Sequence, residues 1–180
     1  MQKKIGRIII YAIILTLTMS NIAYAQPPEQ IAPIAPYGPK VEDLKNKEEL
    51  VRSLREIETI RKNLSAININ ADSTPEDLKS INQDLEYYIQ QFETIEKNLQ
   101  NHKVSYKDSF SDVFFSEQIL FVAGSFVISI RQQQNLIREL ESNREEAKKL
   151  FYSSYLIPVY YYLTLGDNMI AYIETYFRIT

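Results

Sequence analysis

Residues 74–102 read TPEDLKSINQDLEYYIQQFETIEKNLQNH, and this stretch decides the fold. The Thr74 hydroxyl suits an N-cap, where it accepts a hydrogen bond from an otherwise unpaired amide. Pro75 fits the first helical position, where its missing N–H costs nothing, and Glu76 and Asp77 set negative charge at the positive end of the helix dipole. Behind this start, Leu78, Ile81, Leu85, Tyr88, Phe92, Ile95, Leu99 and His102 step 3,4,3,4,3,4,3. Residues three and four apart share a helix face, and a sustained heptad keeps that face turned toward a partner. The stretch predicts a helix over 75–102 with one apolar seam.

The same pattern extends outward. Upstream, Leu44, Leu50, Leu54, Ile57, Ile60, Leu64 and Ile67 form a stripe that predicts a helix over 41–67, stopped by the polar run Asn68 to Asp72. Downstream, a helix is expected over 106–151, with Ser105 and Asp108 as a capping box. Its first half is apolar nearly all round, the mark of a central helix, and Gly124-Ser125 offers a place for a break. The charge-free part, 119–130, broken only by Gly124, Ser125 and Ser129, suits a buried core helix better than a membrane span, which needs about 20 residues.

The last segment admits two readings. Gly166-Asp167-Asn168 would serve as the turn of a C-terminal β-hairpin over 156–179. Against it, Tyr155, Val159, Tyr162, Gly166, Met169, Ile173 and Tyr176 step 4,3,4,3,4,3 straight through the supposed turn. A hairpin turn has no reason to hold a helical phase, which favours a helix over 156–178. The fold class is all-α: an up-and-down antiparallel bundle of three to four long helices, in a single domain over 41–180.

The N-terminus has a different character. Lys3, Lys4 and Arg7 precede an apolar run from Ile8 to Leu17, and Ala23-Tyr24-Ala25 makes a small-x-small cleavage site. This three-part pattern predicts a signal peptide over 1–25, and so an exported protein, periplasmic or secreted. The alternative is an uncleaved signal that anchors the chain in the inner membrane. Residues 26–40 hold five of the seven prolines and predict an extended tether. Cleavage after Ala25 would take the net charge from −3 to −6. An acidic chain is a poor partner for nucleic acid, and no stable membrane span is expected after cleavage.

Composition narrows the chemistry. The chain has no cysteine, one histidine and four glycines. Thiolate chemistry, multi-histidine metal sites and glycine-rich phosphate loops are excluded or nearly so. No catalytic residue, metal ligand or cofactor site is assigned, and the protein is not expected to be an enzyme. His102 reads as a helix-end histidine near the negative end of the dipole. Tyrosine stands out: there are thirteen, with no tryptophan, and seven fall within residues 152–180. Tyr160, Tyr161 and Tyr162 are consecutive and cannot share one helix face, so aromatic surface should remain outside the bundle. Tyr160, Tyr161, Tyr172 and Tyr176 are the candidate interaction residues. Two functions follow as expectations. One is a non-enzymatic interaction or structural module of the bacterial cell envelope, bound to another envelope or secreted protein or to itself as a homo-oligomer. The other is a carrier of an apolar or lipid ligand, with Phe110, Phe114, Phe115, Phe121, Phe126 and the terminal tyrosines around a cavity.

Overall fold

Thr74 caps its helix as its position predicts. Its hydroxyl accepts from the Asp77 amide at 3.2 Å, and the Asp77 carboxylate accepts in return from the Thr74 amide at 3.1 Å. A computed structural model describes residues 39–65 and 69–178 of the chain. The expected signal peptide, nearly all of the Pro-rich tether and Ile67 lie outside the described residues. Those described form a 3₁₀ turn at Val41–Asp43 and five α-helices: α1 (Lys47–Leu64), α2 (Pro75–Ser105), α3 (Phe110–Ser142), α4 (Arg144–Leu150) and α5 (Leu156–Arg178). A π-helical turn, Phe151–Tyr155, joins α4 to α5.

Contacts along α3 fix the directions. The start of α1 meets the start of α3, where the Lys45 amide donates to Asp112 at 2.9 Å, and the Arg61 guanidinium further along lies over the Phe126 ring at 5.8 Å. These two helices run parallel. On α2, His102 meets Asp112 at one end while Asn82 bonds Gln134 at the other, so α2 runs antiparallel to α3. On α5, Tyr176 packs on Phe115 and the Val159 carbonyl accepts from Ser129, so α5 is antiparallel as well. The result is an up-and-down antiparallel bundle of four long helices, with α3 packed against the other three.

The heptad positions build its core. Leu78, Leu85, Phe92, Ile95, Leu99 and His102 of α2 are buried, as are Leu50, Leu54, Ile57, Ile60 and Leu64 of α1. Phe92 and Phe126 meet across the α2–α3 interface with ring centroids 5.9 Å apart. Burial of such side chains is worth about 1.5–3 kcal/mol each, the main favourable contribution to a bundle of this kind.

Several boundaries differ from the sequence reading. The first helix begins at Lys47 rather than Val41, because Asn46 provides the N-cap and accepts from the Glu49 amide. The second helix runs on to Ser105, so Ser105 and Asp108 cap nothing; the cap of α3 is Ser109, which accepts from the Asp112 amide. No break occurs at Gly124. A helical glycine costs about 1 kcal/mol, too little to interrupt a helix held on both flanks, and the Ser125 hydroxyl is absorbed by the Phe121 carbonyl at 2.9 Å. The single expected helix 106–151 is instead interrupted at Asn143 (φ −143°, ψ 61°), and the chain reverses there.

The C-terminal segment is one helix, and no strand is found among the described residues. The reason lies in Gly166: an added Cβ would stand 2.4 Å from the Phe126 ring. Gly166 serves close packing against α3. Its neighbour Asp167 takes a two-bond grip from Arg61, at 2.9 Å each, which ties α5 to α1. The π turn has a reason too. Seam residues Leu140, Arg144, Ala147, Phe151, Tyr155 and Val159 step 4,3,4,4,4, so the path from Phe151 to Val159 is one residue longer than the heptad allows. A wider turn absorbs an extra residue, and it frees room for the Pro158 ring, which would clash with a regular preceding turn.

Candidate functional site

Two places in the bundle concentrate polar or aromatic chemistry. The first is buried, at the end where α1 and α3 start and α2 stops. His102 is 2 % exposed and Asp112 0 %. The His102 Nδ1 lies 2.9 Å from Glu49 Oε2, and Nε2 lies 3.0 Å from Asp112 Oδ1. Asp112 also accepts from the Ser109 hydroxyl and from the Lys45 and Asn46 amides. Burial alone would raise the Asp112 carboxyl, but the hydrogen bonds from Ser109, the Lys45 amide, His102 and the Asn46 amide outweigh it and hold the pKa below the ordinary value. Glu49 is oriented by the Asn46 side-chain amide at 2.8 Å, and the Tyr106 ring lies against the imidazole at 4.6 Å between centroids. The Lys40 amide completes the set with a 3.0 Å bond to Ser111 Oγ.

This arrangement is a clasp. Its donors and acceptors are matched to one another, and His102 has no exposed nitrogen to offer a substrate. Sequence reading placed His102 correctly at a helix end but missed its partners, because Glu49 and Asp112 come from two other helices. The one local signal was the Ser109-x-x-Asp112 spacing, one turn beyond the Ser105-x-x-Asp108 pair chosen. Among the described residues, no cluster of three or more His, Asp or Glu is arranged to hold a metal ion.

The second place is on the surface. Tyr152, Ile157, Tyr160 and Tyr161 are 76 %, 62 %, 61 % and 61 % exposed, and they gather around the π turn and the first turns of α5. With Leu156 and Thr164 they line a shallow apolar depression. Tyr152 and Tyr160 also wall an adjoining cleft whose other side carries Arg61, Asn70 and Gln133. A dry floor beside a polar rim is the anatomy of a protein-binding surface, and tyrosine supplies rigid area with a hydroxyl tip. The π turn gathers these residues by widening the helix where they leave it, and such turns recur at functional sites.

The four tyrosines singled out in the sequence fall into two groups. Tyr160 and Tyr161 stand together at this surface. Tyr172 and Tyr176 lie on the far half of α5, roughly 16–24 Å along the helix from the first pair. Tyr176 is half-buried, edge-on to Phe115, and its hydroxyl is 2.9 Å from that of Tyr172. That hydrogen bond, with burial and the neighbouring phenol, pushes the Tyr176 hydroxyl up to about 12. Tyr152 and Ile157 complete the exposed group and were not singled out. The phenylalanines divide as well: Phe115 and Phe126 are core, while Phe110 and Phe121 face outward, so they line no common cavity. A groove between α1 and α2 has Val51, Ile60 and Ile95 in its lining together with the charged Lys47, Glu48, Arg52, Arg55 and Glu56.

Length and composition would let α3 cross a membrane, but 56 % of its most apolar window is buried inside the bundle. No family model, no curated protein and no solved structure matches this chain.

Proposed function

We propose that the protein is a non-enzymatic helical-bundle module of the bacterial cell envelope, exported by its N-terminal signal, that docks another envelope or secreted protein. One observation carries this reading: Tyr152, Ile157, Tyr160 and Tyr161 form a contiguous group in which every side chain is more than half exposed. Single exposed apolar residues are ordinary, but a cluster of four beside a polar-rimmed cleft is an uncovered contact surface. The rest of the molecule is consistent with a scaffold. Its one histidine is consumed by the clasp with Glu49 and Asp112, and most of the other described carboxylates lie on solvated helix faces.

The test is a cross-linking pull-down from the envelope of the native host, comparing the wild-type chain with a Tyr160→Ser, Tyr161→Ser double variant. Both side chains point away from the core, so the variant should fold with an unchanged melting temperature. Its captured partner should be depleted by about tenfold or more, as expected when anchoring aromatics leave an interface. Equal capture by both forms would refute the assignment of this surface.

A further inference from the structure

The outer face of α3 carries a second, independent pattern. Phe110, Phe114, Glu117, Phe121, Gly124 and Ile128 step 4,3,4,3,4, and Arg131 and Arg138 continue the same line. This is a heptad seam on the side turned away from α1. Phe110 is 64 % exposed, Phe121 50 % and Ile128 39 %, and the Glu117 side chain is 55 % exposed. The stripe is therefore aromatic and acidic in its first half and basic in its second.

Gly124 sits at its middle. A Cβ added there would meet nothing within 4 Å, whereas at Gly166 it would strike the Phe126 ring. The fold thus explains Gly166 and leaves Gly124 without an internal reason, although a mid-helix glycine weakens a helix. What Gly124 does make is a notch in an exposed apolar ridge, three residues from a protruding phenylalanine.

We propose that this face is the interface of a homodimer in which two α3 helices pack antiparallel about a two-fold axis between residues 121 and 124. In that register Phe121 of each copy seats over Gly124 of the other, so the knob and the notch are satisfied twice by one operation. The charges agree with it. The Arg131 of a second copy falls level with Phe114 and within one turn of Glu117, where it can stack on the ring and pair with the carboxylate. Glu117 already holds Lys103 at 3.1 Å and has free lone pairs for a second donor. A parallel copy would instead set Glu117 against Glu117 and Arg131 against Arg131. A lipid surface would strand Glu117 and Arg131 together in an apolar medium. The interface needs nothing from the Tyr160–Tyr161 surface, and loss of either leaves the other intact.

The absence of cysteine makes the test direct. The full-length chain with Ile128→Cys, which keeps both Phe121 and Gly124, is treated in whole cells with a bismaleimide that spans the roughly 16 Å between residue 128 and its copy along the paired α3 helices, and resolved on a reducing gel. A dimer band is expected, and the same treatment of a Tyr160→Cys chain should give none. On the Ile128→Cys background, Glu117→Arg or Arg131→Glu alone should cut the cross-linked fraction by about tenfold, since like charges then oppose across the axis. Both changes together in one chain should restore it, because each pair is again of opposite sign. Far-ultraviolet circular dichroism of the purified variants should match the parent. No dimer at residue 128, equal cross-linking at residue 160, or a double variant no better than either single one would overturn the proposal. Protection of residue 128 from a monofunctional maleimide without a dimer would overturn it too, because lipid, another protein or residues 1–38 would then cover the face.

Discussion

Replacement of Asp112 by alanine should loosen the whole bundle. The side chain is fully buried and accepts from Ser109, His102, the Lys45 amide and the Asn46 amide. Alanine orphans these donors at once. The Ser109 hydroxyl can rotate away, and the Asn46 bond, at 3.4 Å, is long and weak. The Lys45 amide and the imidazole cannot rotate away. A buried donor left without a partner costs about 1–3 kcal/mol, and two are left here, so the loss is roughly 2–6 kcal/mol. Against a total of about 5–15 kcal/mol this is a large fraction, and for a domain of about 140 residues it lowers the melting temperature by roughly 7–20 °C. Differential scanning calorimetry at neutral pH measures it. The effect has a pH signature whose sign follows from linkage. The folded-state pKa of Asp112 is depressed, so its stabilisation is full above the unfolded value, near 3.8, and fades as pH falls through the folded value. Asp112→Asn should therefore flatten the acid limb of the stability curve relative to wild type. An alanine variant that melts within 2 °C of wild type, with an unchanged acid limb, would refute the buried clasp.

Two further substitutions test other parts of the packing. Gly166→Ala should destabilise by about 1–3 kcal/mol in urea unfolding, because its methyl group collides with the Phe126 ring, while a helix-forming alanine elsewhere would stabilise. Tyr172→Phe removes the hydrogen bond that holds Tyr176, so the highest phenolic transition in an alkaline absorbance titration, near 12 in the wild type, should move down toward the ordinary value of 10.0.

The heptad in 74–102 carried most of the architecture because heptad phase is a property of consecutive residues. The phase that passes through Gly166 decided between hairpin and helix for the same reason: only a helix makes residues 162, 166 and 169 neighbours. The start of α3 was misplaced because Ser105-x-x-Asp108 and Ser109-x-x-Asp112 are locally equivalent. What separates them is that Asp112 meets His102 and two amides from beyond Lys40, and such long-range partners leave no mark on local spacing. The turn at Asn143 was hidden by a buried seam that runs on through Arg144, Ala147 and Phe151. The exposed tyrosine group was half legible: three consecutive tyrosines forced some aromatic surface outward, but Tyr152 joins them only through the π turn. Tyr176 shares the stripe of Val159 and Ile173, so its phase pointed it toward the bundle, but its partner Phe115 lies on α3 and left no mark on local spacing.

The clasp also determines how the molecule bears load. Lys40 is bonded to Ser111 and Lys45 to Asp112, both in the first turn of α3, and Val41 between them is buried. A pull on the chain ahead of Pro39 is therefore delivered to the central helix before it reaches α1. The bonds to Ser111 and Asp112, the buried Val41 side chain and the imidazole behind them must give way before α1 can peel from the bundle. When force enters from the N-terminal side, its point of entry and this densely hydrogen-bonded corner of the fold coincide, so tension reaches α3 before α1.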